Sequence, residues 1–381
     1  MSNVKRVAVV MLPTRPYCRR VLRGVTGVGS QAGWECILLP ADAPQPVAEA
    51  RGYVHGIIGH LSDAAIRDAV LRAGLPAVDI SPVGPEEDLP CVTTDDVAVG
   101  RLAAAHLLSL GLPQFAFFGS RPHYYSMLRA DGFKEAIGAA GLSCHVLLSA
   151  PDAAGGEPKP DQSPLEAWVR QLPKPIGVLA GTDSLALRVL AACRKLGLDV
   201  PKSVAVLGVD NDDVFCELAV PPLSSVALST QRIGYEAARL LDRLMAGKVP
   251  AERRLLVPPA GVVPRRSSDL PALLDADVAA AVRYISLHVR EGLQVGDLLR
   301  EVSVSRRSLE QRFAKALGRT PAAEIRRAQV EVARQILAET DEPMAGVARA
   351  AGFSSARHLS TSFHRETGTT PTAYRRGSRG N

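Results

Sequence analysis

The chain has 381 residues, 46% of them hydrophobic and 22% charged, with a formal net charge of +6. That length matches about two and a half ordinary domains, and the composition is that of a folded globular protein, which excludes disordered and collagen-like classes. No apolar run approaches the roughly 18 residues of a membrane span, and the opening segment reaches Pro13 too soon for a secretory signal, so a cytoplasmic protein is expected.

From residue 4 to about 263, short apolar runs (7–10, 37–39, 57–58, 77–80, 115–118, 146–148, 176–179, 204–209) alternate with amphipathic stretches such as 95–110, 132–140, 185–196 and 234–245. Continuous apolar strands joined by helical crossovers predict an α/β fold with buried parallel sheets. In such sheets ligands bind beyond the C-terminal ends of the strands. The positions that fall there are 13–19, Ser81, Asp95, 121–129, Thr182, Asp183, Asp210 and Asn211.

Those positions gather polar groups beside aromatics: Tyr17, Tyr124, Tyr125, Arg129, Asp183 and Asp210. A carboxylate accepts from two adjacent sugar hydroxyls, an arginine donates to ring or hydroxyl oxygens, and an aromatic ring covers the apolar sugar face. The candidate effector ligands are therefore Tyr17, Ser81, Asp95, Tyr124, Arg129, Asp183 and Asp210; the aspartates have a plainer alternative as helix caps or turn formers, and Tyr17 as rim. No catalytic residue, cofactor or metal is expected. The six cysteines form no CxxC pair, the histidines no HExxH, and no GxxxxGK[ST], GxSxG or post-strand GxGxxG is present.

The stretches TTDDVAVGRLAAAHLLSLG, YYSMLRADGFKEAI, GVLAGTDSLALRVLAACRKLGLDVPKSVAVLGVDND and LSSVALSTQRIGYEAARLLDRLMAGK together resemble the two-lobed, periplasmic-binding-protein-like sensor of LacI-type regulators. The resemblance covers residues 4–263. It implies lobes of 4–105 with 226–245 and of 114–225 with a last strand near 255–263, and sugar contacts at Arg129, Asp183 and Asp210. DNA reading, which LacI-type repressors place ahead of the sensor, is expected at the other end. The Pro- and Ser-containing basic stretch 264–274 is expected to be the linker.

From residue 275 on, 17 Lys and Arg stand against 12 Asp and Glu, whereas the preceding part is nearly balanced at 28 against 27. Lys315 is the only lysine in that quarter, and arginine suits bidentate contacts with phosphate or guanine. The same quarter repeats itself: Leu309, Phe313, Gly318, Thr320 and Pro321 recur 50 residues later as Leu359, Phe363, Gly368, Thr370 and Pro371. Each copy follows a short amphipathic helix (Val295, Leu298, Leu299, Val302; Met344, Val347, Ala348, Ala351) and a turn, so each reads helix, turn, helix. In the first copy Leu309 and Phe313 pack, Ser305 is the expected N-cap, and Arg306, Arg307, Glu310, Gln311 and Arg312 face outward. In the second, Ala356, Arg357, Ser360 and Thr361 face outward. Between them Ile325, Ala328, Val332 and Ile336 form one stripe of a linker helix, with Arg326, Arg327 and Arg334 off it. At 1.5 Å per residue, roughly 18 residues span about 27 Å, enough to set two reading helices near one DNA turn apart. The bland alternative is a helical bundle with a solvated basic face.

SRRSLEQRFAKALGRTP and ARAAGFSSARHLSTSFHRETGTTPTAYRR resemble an AraC/XylS-type DNA-binding domain over its whole length. That implies two helix-turn-helix units in successive major grooves, with Arg307, Glu310 and Gln311 reading bases and Ala356, Arg357, Ser360 and Thr361 facing DNA. Gly346, inside the first helix of the second unit, departs from the pattern.

A sensor of residues 1–263 followed by a reader of residues 275–381 resembles the group of xylose-operon regulators. This implies a transcription regulator binding double-stranded DNA under control of D-xylose, with another pentose or a non-sugar metabolite as alternatives. A homodimer through the first sensor helices and a contact with RNA polymerase are the further partners expected. From the residues alone, an α/β sugar-binding enzyme and a transport-type binding protein stay open as competing classes.

Overall fold

Buried β-branched runs and amphipathic helices alternate along the first two thirds of the chain and assemble into two sheets, followed, among the described residues, by seven helices. A computed structural model describes residues 4–14, 16–81, 88–121, 123–149, 163–248, 252–269, 275–317 and 319–377. Gly318, the glycine of the first repeat copy, lies outside them. The chain divides into two compact units, Met1–Asp96 with Leu228–Pro259, and Val97–Ala227 with Ala260–Asn381.

The first unit holds β1 (Arg6–Val10), α1 (Pro16–Gln31), β2 (Glu35–Leu39), α2 (Pro44–Glu49), β3 (Gly56–Gly59), α3 (Ala64–Ala73), β4 (Ala77–Asp79), β5 (Cys91–Thr94), α9 (Thr230–Met245) and β11 (Arg254–Val257). Its sheet runs β11-β5-β4-β3-β1-β2, all parallel. Strand side chains alternate between faces. Val7, Val9, Ile58 and Val78 pack with Val21, Val25, Ile233 and Leu241 of α1 and α9, whereas Ala8, Val10, Ile57 and Ala77 pack with Ile66 and Val70 of α3. With both faces covered, the strands are apolar throughout rather than alternating.

The second unit begins with α4 (Asp96–Leu108) and continues through β6 (Phe115–Ser120), α5 (Tyr124–Ala139), β7 (Cys144–Ser149), α6 (Ser163–Gln171), β8 (Ile176–Ala180), α7 (Asp183–Lys195), β9 (Val204–Asp210), α8 (Asp213–Leu218), β10 (Ser224–Ala227) and β12 (Gly261–Val263). The sheet order is β12-β10-β9-β8-β6-β7, parallel except for β12, which is antiparallel to β10.

Three expectations about the sensor need correction. The last apolar run, expected as one strand near 255–263, is two strands on different sheets. Pro258 and Pro259 between them lack the N–H needed to continue a ladder. Helix α4 belongs with the second unit from Val97 on, because Gly100 lets it press against the backbone of α5 at Arg129 and Phe133. The expected linker 264–274 starts too early. Arg266–Ser268 form a 3-10 turn with Ser267 and Ser268 buried. Ser267 Oγ donates to the Val206 carbonyl at 2.6 Å and accepts from the Ser224 N–H at 2.8 Å, and Ser268 Oγ donates to Ser224 Oγ at 2.8 Å. Residues 270–274 lie outside the described ones.

The remaining helices are α10 (Ala276–His288), α11 (Val295–Glu301), α12 (Arg306–Leu317), α13 (Pro321–Glu339), α14 (Met344–Ala350), α15 (Ala356–Thr367) and α16 (Pro371–Gly377). They enclose two small cores: Val278, Ile285, Leu298, Leu309, Phe313 and Ile325 in one, and Val330, Ala333, Leu337, Val347, Leu359 and Phe363 in the other. Helix α13 thus serves both. Its buried positions differ from the expected stripe in the second half, where Val330, Ala333 and Leu337 are fully covered and Val332 and Ile336 only partly. The repeated Thr-Pro is a helix start. Thr320 Oγ1 accepts from the Ala323 N–H at 3.2 Å and Thr370 Oγ1 from the Ala373 N–H at 3.1 Å, each with proline at the first helical position. Ser305 caps α12 as expected, accepting from the Ser308 N–H at 3.2 Å. Gly346 is buried, and the Glu342 side chain lies where a Cβ would be.

Candidate functional site

Every candidate effector residue sits at or just after the C-terminal end of a parallel strand or in the helix that follows it. In the second unit the polar set is built around Arg129, on α5 after β6. The side chain is 5% exposed, its guanidinium lies over the Tyr125 ring at 4.8 Å, and Nη1 donates to the Gly181 carbonyl at 2.6 Å. The same Nη1 stands 3.9 Å from Oδ1 of Asp210, whose side chain is 34% exposed. Tyr125 also stacks on His123, with ring centres 5.2 Å apart. A guanidinium, a carboxylate and an aromatic face therefore converge at the ends of β6, β8 and β9. This donor–acceptor–ring set can hold a small polyol.

Asp210 has φ of 111° and Asn211 of 48°, left-handed values that are strained for residues with a side chain. The Asn211 N–H donates to Ser225 Oγ at 3.0 Å, and Asn211 Oδ1 accepts from Arg265 Nη2 at 3.0 Å. Nη1 of the same arginine donates to the Leu223 carbonyl at 2.9 Å. Such strain persists where surrounding bonds over-determine the turn, and it aims the Asp210 carboxylate beyond the strand end.

Asp183 is placed differently. It is 1% exposed and faces into the unit: Oδ1 accepts from Ser225 Oγ at 2.6 Å, and Oδ2 from the Asp212 N–H at 2.8 Å and from the Cys216 thiol at 3.6 Å. Burial, reinforced by the neighbouring Asp210 charge, pushes its carboxyl up to about 8. Its position is that of a brace beneath the β9 turn. Tyr124 is half-buried at the start of α5, and Tyr125, one residue on, is the ring that meets Arg129.

In the first unit, Tyr17 is the second residue of α1; its hydroxyl donates to the Ile80 carbonyl at 3.3 Å and its ring meets His60 edge-on. Ser81 is 1% exposed and serves Asp79, donating from its N–H at 2.8 Å and from Oγ at 2.7 Å, while Arg67 Nη1 pairs with the same carboxylate at 2.7 Å. Asp95 is half-buried at the end of β5, its N–H bonded to the Val257 carbonyl at 2.9 Å.

At the reader, α12 and α15 are the second helices of the two helix-turn-helix units. Arg307 and Gln311 are exposed, and Arg306 pairs with Glu310 at 3.0 Å one turn along. Arg312 departs from expectation. It turns back within the domain, with Nη1 2.5 Å from Asp277 Oδ2 and 3.1 Å from Asp275 Oδ1, and Nε donating to Ser308 Oγ at 3.2 Å. The two carboxylates at the start of α10 hold it there. In the second unit Arg357, Ser360 and Thr361 are exposed and Ala356 is half-buried; the Thr361 hydroxyl donates back to the Arg357 carbonyl at 3.1 Å.

Sequence reasoning missed Arg265, read as linker, and His60, which carries no motif. It also passed over His358, exposed in the first turn of α15 with its ring edge-on to Phe353 at 5.4 Å. Among the described residues no cluster of His, Cys, Asp or Glu could hold a metal ion, and no helix is long and apolar enough to cross a membrane.

Residues 104–268 match the periplasmic binding protein-like domain model and residues 298–377 a helix-turn-helix domain model. The xylose operon regulatory protein of Escherichia coli (strain K12) is 30% identical over 97% of this chain and 96% of its own length. The xylose operon regulatory protein of Haemophilus influenzae (strain ATCC 51907 / DSM 11121 / KW20 / Rd) is 27% identical over 97% of this chain and 98% of its own. A solved structure described as a xylose-binding transcription activator covers 98% of both chains at 29% identity, with a TM-score of 0.62.

Proposed function

The chain belongs to the family of xylose operon regulatory proteins, and from that membership we propose that its sensor takes D-xylose as effector through Arg129, Asp210 and Tyr125. It is a transcription regulator with a periplasmic-binding-protein-like sensor and a helix-turn-helix DNA-binding domain. Of the classes open to the sequence, the enzyme and the transport-type binding protein therefore fall away.

The observation that carries the sugar reading is the Arg129–Asp210 pair at 3.9 Å beside the Tyr125 ring. Asp210 accepts from neighbouring hydroxyls, Arg129 donates to a ring or hydroxyl oxygen, and Tyr125 both orients the guanidinium and offers an apolar face. Asp183 acts beneath this set as a brace. Tyr17 and Asp95 are the candidate effector contacts of the first unit, with Ser81 fixing Asp79 behind them. The sensor extends to Asp269 and the reader occupies 275–381, where Arg307 and Gln311 read bases and Arg357, Ser360 and Thr361 face DNA. Homodimer formation, a contact with RNA polymerase and a cytoplasmic place of work complete the proposal.

Calorimetric titration of the full chain with D-xylose tests it, with L-arabinose, D-ribose and D-glucose as controls. Saturable binding of D-xylose alone is the expected result. Binding of another sugar in its place, or of none, overturns the effector assignment.

A further inference from the structure

Between the two helix-turn-helix units lies a hollow of about 650 Å³. Its wall takes Arg290 from the turn after α10, Arg306 from the start of α12, Arg326 and Gln329 from α13, Arg349 from α14 and His358 from α15. The floor ties both units together. Gln329 Nε2 donates to the Gly352 carbonyl at 2.7 Å, and Gly352, at φ of 77°, lies so close to the Val289 carbonyl that a Cβ there would come within 2.1 Å of it.

Four arginines line this concavity against one acidic residue, Glu291, whose own contact is His288 at 3.1 Å. Arg306 is held by Glu310, and Arg326 stands 3.9 Å from Glu366 with its Nε buried and unbonded. Arg290 and Arg349 are exposed and make no ion pair among the described residues. Converging like charges repel unless an anion lies among them, and planar guanidinium forks match phosphate oxygens. The rim is formed by the first turns of both second helices, at Arg306 and His358, so a duplex engaged by both passes its backbone across the hollow.

We propose that this hollow receives a backbone phosphate of the DNA between the two stretches read by α12 and α15. The contact fixes the register of the two units on one duplex without reading sequence. The proposal rests on the DNA-reading function above. A soluble phosphate compound offers the same oxygens, and the test separates the two sources.

Full-length protein is titrated with a pool of random-sequence 40-bp duplexes at a series of salt concentrations, as wild type, Arg349→Gln and Arg326→Gln/Arg349→Gln. Each phosphate contact contributes about 0.9 to the slope of log affinity against log salt. The double variant is expected to lower that slope by about 1, the share of one phosphate, and the single variant by a measurable part of it, with affinity reduced evenly across sequences. Arg349 is an exposed side chain, so its loss leaves the buried Val347 and Ala348 in place. An unchanged slope in Arg349→Gln, or a loss confined to particular sequences, overturns the proposal. Inorganic pyrophosphate titrated into DNA-free protein covers the other source: thermal stabilisation abolished by Arg349→Gln, with the salt slope unchanged, assigns the hollow to a soluble phosphate and also overturns it. A wild type that binds no duplex fails the DNA-reading function itself, a result distinct from a flat response of the variants.

Discussion

Arg265 Nη2 lies 3.0 Å from Oδ1 of Asn211, so the first arginine of the segment leading to the reader is hydrogen-bonded to the residue beside Asp210. The same segment is locked to Ser224 through the backbone of Arg265 and the buried Ser267 and Ser268. Farther along, the carboxylate of Glu331 on α13 lies against Gly261 of β12, where a Cβ would overlap it. A change at the end of β9 therefore reaches residues 265–268 through hydrogen bonds, while β12 of the same sheet packs against the reader at Glu331.

Replacing Arg265 by Gln is expected to leave basal DNA affinity near that of the wild type while the effector-induced change in affinity collapses toward onefold. Coupling of this kind is typically about 5- to 150-fold. DNA anisotropy with and without saturating effector measures it, and a variant that responds as strongly as the wild type removes Arg265 from the route.

Asp210 and Asp183 are expected to separate cleanly. Asp210→Asn removes a half-exposed acceptor and should weaken effector binding by about 10- to 100-fold with little change in melting, since a hydrogen bond to a charged group is worth about 1.5–3 kcal/mol. Asp183→Ala leaves the Ser225 hydroxyl and the Asp212 N–H buried without an acceptor and should cost about 2–4 kcal/mol of stability. Thermal melting beside calorimetric titration of both variants decides the matter; if Asp183→Ala melts like wild type and loses only effector binding, the two roles are exchanged.

The parallel sheets were legible because β1, β3, β6, β8 and β9 are runs of apolar residues covered on both sides, and the reader because a 50-residue repeat fixes Leu, Phe and Thr-Pro at the same places in both copies. Strands β5 and β10 escaped notice: CVTT and SSVA are four residues each and half polar. Arg129 and Asp210 could be found from their place after strands. The inward course of Asp183 and Arg312 could not, since it depends on Ser225, Cys216, Asp275 and Asp277, partners 33 to 42 residues away in the chain. Arg265 was hidden for a different reason, because a Pro-Arg-Arg-Ser-Ser string is locally a linker and becomes structure only when buried serines meet Ser224.

His106 on α4 is half-buried, its Nε2 2.9 Å from Ser268 Oγ, and desolvation followed by the charge of Arg327 pushes its pKa down from 6.5 to about 4. The unfolded chain then takes up a proton more readily than the folded one, so stability is complete above about pH 7 and falls as pH drops from 6.5 through 4. At pH 5 the loss attributable to this group is about 2 kcal/mol. His106→Gln is expected to flatten the decline in stability between pH 7 and pH 5 by about that amount. Denaturant titrations at the two pH values test this, and equal declines in variant and wild type rule it out.

Arg312 and Arg307, five positions apart on α12, should respond in opposite ways. Arg312 bridges α12 to Asp275 and Asp277 and is only partly exposed, so Arg312→Ala leaves two carboxylates facing each other at the start of α10. Because the pair is partly solvated, the expected loss is modest, about 1 kcal/mol, and it should appear in melting of the reader with binding to all DNA sequences weakened evenly. Arg307 is exposed and makes no ion pair or side-chain hydrogen bond among the described residues, so Arg307→Ala should melt like wild type. Its cost falls on a selected site, about 1–3 kcal/mol, with discrimination relaxed at one base pair. Selection of preferred sequences by each variant, run beside thermal melts, distinguishes the roles. Relaxed specificity in Arg312→Ala with unchanged melting would mean that the arginine leaves its two aspartates to meet DNA, and that the start of α10 is released whenever the reader is engaged.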